Sequence, residues 1–393
     1  MRLLFVVDGR SPIALDWIKH FVERGDEVHL VSTYSCQPNL GFASIHFIPV
    51  AFSSLKTRPR IGPDNESPGR GLWGVRSIRF RTALRRWLAP LTLPQAALRL
   101  RKILAEIRPE LVHAMRIPFE GMVAAEALAT EEDCPLVVSV WGNDFTLHAP
   151  STPWMARRTR QCLKQISGLH VDCHRDLRLA HEWGYPAGDP AIVAPGNGGV
   201  KTELFYPPYN SSAERELAVI NPRGFRAYVR NDTFFKALPL VAKRWPQLKV
   251  LCPGMAGEPQ AIRWVEELGL GENVELMPNL KRDEMADAFR RAAISVSPTT
   301  HDGTPNTLLE AMACGCYPIA SDLESVREWI TPDLNGTLFD PSDPRDLGRA
   351  LIQVLEESEV RSNALVNNLR IIRERAEYSR NMKRVEEFYR RIS

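Results

Sequence analysis

The sequence has no run approaching the roughly 18 apolar residues that a membrane-crossing helix requires, so a transmembrane span is not expected. No C-x-x-C pair occurs, and the seven cysteines (36, 134, 162, 173, 252, 314 and 316) are odd in number and scattered through expected strands and helices. That argues against a zinc site and a disulfide framework and fits reduced thiols in a cytosolic protein. The opening "MRLLFVVDGR" lacks a small-residue cleavage site and reads as a first buried strand rather than a signal peptide. "DGRSP" at 8–12 follows that strand without a G-x-G-x-x-G, so it carries no dinucleotide fingerprint.

What is present is ordinary in composition and uneven in arrangement. At 393 residues the chain exceeds the size at which one core keeps growing, so two domains are expected. Its formal charge of +3 hides a basic segment. Between Lys56 and Lys102 stand twelve Lys or Arg against Asp64 and Glu66, interleaved with Leu72, Trp73, Phe80, Trp87, Leu88 and Leu91. A second basic cluster, Arg157, Arg158, Arg160 and Lys164, follows Trp154. Cations among apolar side chains suggest an anionic membrane surface or acidic partner. No nucleic-acid-binding motif accompanies them, so nucleic acid is not an expected partner.

Strand-like and helical stretches alternate along the whole chain, which implies parallel sheets with crossover helices. Strands are expected at "RLLFVVD", "EVHLVST", "ASIHFIPVA", "ELVHAM", "LVVSVWG", "GLHVDC" and "AIVAPG". After a Pro-, Asn- and Ser-rich break at 205–216 they resume with "LAVINP", "LKVLCPG", "VELMPN", "ISVSPT", "YPIAS" and "TLFDP". Helices are expected between them, including 305–314 and 323–330. The fold class is α/β, with two doubly wound Rossmann-like domains facing across a cleft. The domains are residues 1–205 and 206–375, with a helix over 376–393 crossing back to the first.

The segment "HDGTPNTLLEAMACGCYPIASD" at 301–322 passes from polar loop to helix to apolar strand. Thr304 reads as N-cap, Pro305 as first helical residue and Gly315 as C′, giving a helix of about three turns. The amides of Asn306, Thr307 and Leu308 lack intrahelical acceptors and, with the positive end of the helix dipole, form an anion site. Glu310 lies roughly 6 to 9 Å further along the axis, about the separation of a pyrophosphate from its own ribose. Asp302 lies on the loop before the helix. A nucleotide sugar would engage both carboxylates.

"DGTPNTLLEAMACGCYPIAS" resembles the family 4 glycosyltransferases of the GT-B fold, whose usual pattern is E-G-x-P-x-x-x-x-E-A-M-A-x-G-x-P-V-V-A. Further marks occur in order: "VHAM" with His113, "VVSVWGNDF" at 137–145, "APGNGGVKTELFYP" at 194–207 and "NGTLFDPSDPRDL" at 335–347. The resemblance implies a retaining, metal-independent glycosyltransferase of the hexosyltransferase type. No D-x-D motif, which a metal-dependent transferase would use, is present. Glu310 matches the carboxylate that holds ribose hydroxyls, and Asp302 the one that contacts the donor sugar, shortened by one methylene. Gly303 and Thr304 offer amides near sugar and phosphate. In "INPRGFRAYVRNDTFFKA", Arg223 matches the family's phosphate-binding Arg, and the usual Lys is replaced by Arg226 or Arg230. Trp141 stands where many members carry His. Asp144 is a candidate sugar contact or base, with a turn cap as the alternative, and His113 is a candidate facing the cleft, with a framework role as the alternative.

No cofactor or metal is expected. A UDP- or GDP-sugar is the expected donor and a glycan or lipid-linked molecule the acceptor, in cell-surface polysaccharide or glycolipid synthesis. The expected place is the cytoplasm, peripheral to the inner face of the membrane through residues 56–102. A nucleotide-sugar epimerase and a non-catalytic nucleotide-sugar-binding protein stay open as alternatives.

Overall fold

Short apolar runs with both faces buried form most of the strands, as parallel sheets flanked by helices require. The computed structural model describes residues 1–50, 89–129, 134–208 and 217–393. Two units are present, one made of Met1–Asn197 with Arg384–Ser393 and the other of Gly198–Lys383. The division falls at Asn197/Gly198 rather than 205/206 because the following residues join the second unit. Val200 bridges Glu377, and Phe205 is buried in a core with Phe289 and Leu308. The basic stretch lies outside the described residues from 56 to 88. Within its remainder, Arg101 is not a free surface cation, since its guanidinium donates to the carbonyls of Glu126 and Ala127.

The first unit runs β1 (Arg2–Val7), α1 (Pro12–Arg24), β2 (Glu27–Ser32), β3 (Ser44–Phe47), α2 (Leu93–Ile107), β4 (Leu111–Ala114), α3 (Met122–Leu128), β5 (Leu136–Val140), α4 (Pro153–Leu163), β6 (Gly168–Val171), α5 (His174–Glu182) and β7 (Ala191–Val193). Its strands lie in the order β3-β2-β1-β4-β5-β6-β7, all parallel.

The second unit runs β8 (Ala218–Ile220), α6 (Asn231–Arg244), β9 (Lys249–Cys252), α7 (Pro259–Glu267), β10 (Val274–Leu276), α8 (Arg282–Arg291), β11 (Ile294–Ser297), α9 (Asn306–Ala313), β12 (Tyr317–Ser321), β13 (Thr337–Phe339), α10 (Pro344–Glu356) and α11 (Ser358–Ile371). Helix α12 (Tyr378–Ile392) ends the chain, and its residues from Arg384 onward group with the first unit. The strand order is β10-β9-β8-β11-β12-β13, again parallel. Alternate residues serve two cores: Val219 and Val250 face α6 and α10, whereas Ile220 and Leu251 face α8 and α9. The expected helix at 323–330 is a run of turns.

Each sheet reverses its winding once, between β1 and β4 in the first unit and between β8 and β11 in the second. Ligands of doubly wound sheets bind beyond the carboxyl ends of the strands at such a reversal. The loops after β8 and β11 are those that carry Arg223 and Asp302.

Candidate active site

The turn after β8 is built by two buried asparagines. Asn221 donates to Asn231 Oδ1 (3.0 Å) and accepts the Arg223 amide (3.2 Å), while Asn231 donates to the Gly224 carbonyl (2.9 Å). Gly224 takes φ +61°, a left-handed conformation that costs a glycine little. The loop is zipped to the one after β11 by the amides of Arg230 and Thr300, donating to the carbonyls of Pro298 (2.7 Å) and Tyr228 (2.9 Å).

This framework brings Arg223 onto the loop that precedes α9. Its Nη2 donates to Asp302 Oδ2 (2.6 Å) and its Nη1 to Thr307 Oγ1 (3.1 Å). The two charged side chains are 6% and 15% exposed, so the pair is largely shielded from water. Arg223 Nε is buried and, among the described residues, has no hydrogen-bond partner; the same holds for Asn306 Oδ1. Buried polar groups of this kind are ordinarily completed by protein, ordered water or a ligand.

The helix start differs from expectation in detail. Helix α9 has Pro305 as its N-cap, with no side-chain cap, and runs about two turns. Thr304 is not the cap because its hydroxyl accepts from Trp329 Nε1 (3.1 Å). The Leu308 amide is not open to an anion either, since it donates to the Pro305 carbonyl (2.9 Å). The positive helix end is therefore offered through Asn306 and Thr307. Gly303 and Thr304 are buried in the bend, which is braced by Ser325 donating to the Asp302 carbonyl (2.7 Å). Gly315, at φ +82°, closes the helix as expected.

Glu310 is 7% exposed on α9, and Arg282 Nη2 donates to its Oε1 (2.9 Å). Arg282 was not singled out from the sequence, where nothing in "NLKRDEM" marks it. The two stand-ins for the missing Lys differ. Arg230 is forked onto Asp232 (2.8 and 2.9 Å), whereas Arg226 lies on an exposed turn and, among the described residues, donates to the Tyr228 hydroxyl (3.1 Å). Arg226 is thus the more available cation.

In the first unit the structure overturns the expectation for His113. Its side chain is 0% exposed and sits in a hydrogen-bonded chain with one consistent direction. The Ala194 carbonyl can only accept, so His170 Nε2 donates to it (2.9 Å) and Nδ1 accepts from Ser139 (2.7 Å). Ser139 then accepts from His113 Nε2 (2.8 Å), His113 Nδ1 from Tyr389, and Tyr389 from Trp17 Nε1 (3.1 Å). Burial, and then the neighbouring His170, pushes His113 well below its ordinary range; burial pushes His170 down to about 4. Both nitrogens of His113 are used inside the unit, so it is a framework residue and not a catalytic one.

Asp144 is likewise held locally. It is 1% exposed, accepts the Trp141 amide (3.1 Å) at Oδ2 and Arg116 Nε (2.8 Å) at Oδ1. It caps the turn and anchors Arg116, so the expected role as base or sugar contact gives way to the alternative.

A cavity of about 300 Å³ opens beside these residues, lined among others by Asp8, Ser11, Tyr34, Arg116, Glu120 and Trp141. It lies where β1 and β4 part. Glu120, which sequence reasoning did not identify, is buried there and accepts from Thr33 (2.7 Å); burial raises its carboxyl to about 7. Arg116 (φ +142°) and Phe119 (φ +74°) put strained backbone on the same rim, as functional sites often do. Trp141 Nε1 is buried without a partner among the described residues. One group with metal-ligand proximity, Asp172, Cys173 and Asp176, also occurs among the described residues, but Arg175 donates to Asp176 Oδ1 (2.7 Å) and neutralises it.

Comparison with known proteins places this geometry. Residues 9–196 match the family model described as "Glycosyl transferase 4-like domain", and residues 209–370 match "Glycosyl transferases group 1". A D-inositol 3-phosphate glycosyltransferase of Thermobispora bispora is 25% identical over 187 residues, covering 43% of this chain and 44% of that protein. The protein of the same name in Xylanimonas cellulosilytica is 31% identical over 99 residues, 24% of each. The matched stretches span less than half the length of these curated relatives.

Among solved structures, sucrose-phosphate synthase from Thermosynechococcus elongatus aligns with a TM-score of 0.75 at 17% identity, over 100% of this chain and 99% of that one. Anabaena HepE, solved with UDP-glucose, aligns with a TM-score of 0.70 at 14% identity, over 98% and 99%. At these identities the likeness concerns the fold.

Proposed function

The chain belongs to the family 4 glycosyltransferases of the GT-B fold, and from that premise we propose that it moves a hexosyl group from a nucleotide sugar to an acceptor hydroxyl. The observation that carries this reading is the Arg223 guanidinium. It is held at two nitrogens beside the start of α9 while Nε stays buried without a protein partner among the described residues. A diphosphate would complete it.

In this reading Arg223 and the Asn306 and Thr307 amides take the diphosphate, Glu310 takes the ribose and Asp302 the donor sugar, with Gly303 and Thr304 lining the approach and Arg226 as auxiliary cation. Negative charge develops on the leaving diphosphate in the transition state, so fixed cations and amides stabilise it without a metal ion. The acceptor hydroxyl attacks on the face from which the diphosphate leaves, a phosphate oxygen takes its proton, and configuration is retained. The protein orients both substrates. The HepE structure contains UDP-glucose, which supports a UDP-sugar as donor here.

The polar and aromatic cavity of the first unit suits a polyhydroxylated acceptor, a glycan or lipid-linked sugar of cell-surface polysaccharide or glycolipid synthesis. Such an acceptor would place the enzyme in the cytoplasm at the inner membrane face, with the basic stretch toward anionic lipid.

Turnover of UDP- and GDP-hexoses without acceptor tests the reading. One donor should be hydrolysed slowly, releasing sugar of retained anomeric configuration, at the same rate with and without EDTA. Epimerised nucleotide sugar would favour an epimerase, and binding without turnover a non-catalytic protein. Full loss of activity in EDTA, restored by Mg²⁺ or Mn²⁺, would contradict metal independence.

A further inference from the structure

We infer that Arg282 is a positioning residue of the nucleotide site, fixing the Glu310 carboxylate so that it discriminates ribonucleotides from 2′-deoxyribonucleotides; this rests on the proposed role of Glu310 toward ribose. Glutamate has three rotatable side-chain bonds, and a carboxylate left to swing must be ordered when ligand binds, at a cost in affinity. Here Arg282 Nη2 holds Glu310 Oε1 at 2.9 Å, and a planar guanidinium constrains a carboxylate more tightly than a point charge does. The guanidinium is itself braced, 5.2 Å above the ring of Phe205. Phe205 is 1% exposed, and its ring is 6.4 Å from that of Phe289, on the same helix as Arg282. The carboxylate is thus oriented from a buried part of the second unit.

The position of Arg282 is not explained by helix stability. It is the first residue of α8, where a cation opposes the helix dipole, and Asp283 and Glu284 follow it to restore the favourable sign. With its side chain 38% exposed, it adds little core packing. Its guanidinium instead serves the pair with Glu310. A carboxylate offers about four acceptor sites. The Arg282 contact at one of them sets the plane of the carboxylate before the nucleotide arrives.

The test is titration calorimetry with UDP and GDP, each beside its 2′-deoxy counterpart, on wild type, Arg282→Met, Arg282→Lys and Glu310→Gln. Wild type should prefer the ribonucleotide about tenfold or more, the worth of a hydrogen bond to a charged group. Arg282→Met should weaken the ribonucleotide about tenfold and narrow its preference over the deoxynucleotide to within about threefold. Arg282→Lys keeps the charge without the planar guanidinium, so the preference should narrow while overall affinity falls less. In the Glu310→Gln background, Arg282→Met should change the preference by less than about twofold, because the two side chains act as one unit.

Equal weakening of ribo- and deoxynucleotide by Arg282→Met would reduce Arg282 to a general cation and overturn the inference, as would no change in either. Glu310→Gln that leaves ribonucleotide affinity intact would overturn the ribose role of Glu310 itself. Failure of both diphosphates to bind wild type would overturn the nucleotide site as well.

Discussion

Replacing Arg223 by alanine should lower kcat/KM for donor turnover by about 30- to 1,000-fold, that is about 2 to 4 kcal/mol of transition-state stabilisation, the scale of losing one preorganised charge-stabilising donor. The large effect follows from placement. Arg223 is fixed by Asp302 and Thr307, so it needs no reorganisation when charge appears on the leaving group, and its shielding from water strengthens the interaction. Arg226 and Arg230 should not substitute, because one lies on an exposed turn and the other is forked onto Asp232. Removing Arg223 also takes from the Asp302 carboxylate its buried guanidinium partner, so thermal stability must be followed beside activity. Arg223→Lys separates the effects: charge near Asp302 persists and stability should hold, while turnover should still fall for want of the fork. Turnover within about threefold of wild type in Arg223→Ala would remove the guanidinium from the diphosphate.

The second large effect is structural and falls on the first unit. His113→Phe should destabilise it by about 2 to 4 kcal/mol, because the Tyr389 hydroxyl loses its acceptor and Ser139 its donor inside a dry core. The same chain of groups sets a pH dependence. His170 has its folded pKa depressed to about 4 from an ordinary 6.5, so its contribution is complete above 6.5 and is lost as pH falls through 4, about 3 kcal/mol in all. Glu120, raised from 4.5 to about 7, works oppositely: its contribution is complete below 4.5 and is lost as pH rises through 7. Stability of this unit should therefore be greatest between about pH 4.5 and 6.5, and Glu120→Gln should flatten the alkaline side. Hydrogen exchange of amides in β4 across pH 4 to 8 reads both limbs. A catalytic His113 would behave differently, with activity lost in His113→Phe at unchanged stability.

The parallel architecture was legible because both-face-buried strands appear as continuous apolar runs, and every expected strand lies in one of the two sheets. The loop carrying Asp302, Gly303 and Thr304 was legible because glycine and proline punctuate the step from strand to helix. What could not be read depends on pairing across sequence distance. Thr304 carries every local mark of an N-cap, yet Trp329, twenty-five positions on, claims its hydroxyl. His113 sits at a strand end, where sequence cannot show that Tyr389, 276 positions away, fills its Nδ1 side. Arg282 and Glu310 are 28 residues apart on different helices. Glu120 was hidden for another reason: its raised pKa comes from desolvation, which no spacing encodes. The segment 323–330 forms turns rather than the expected helix, burying Val326, Trp329 and Ile330 while Ser325 holds the Asp302 carbonyl.

Hydrogen exchange of the full chain with and without saturating UDP tests most directly whether the second unit holds a nucleotide diphosphate where β8 and β11 part. Protection should appear in peptides spanning Asn221–Gly224 and Asp302–Glu310 and be lost in Arg223→Ala. Protection confined to the first unit, or unchanged exchange at both of those segments, would contradict it.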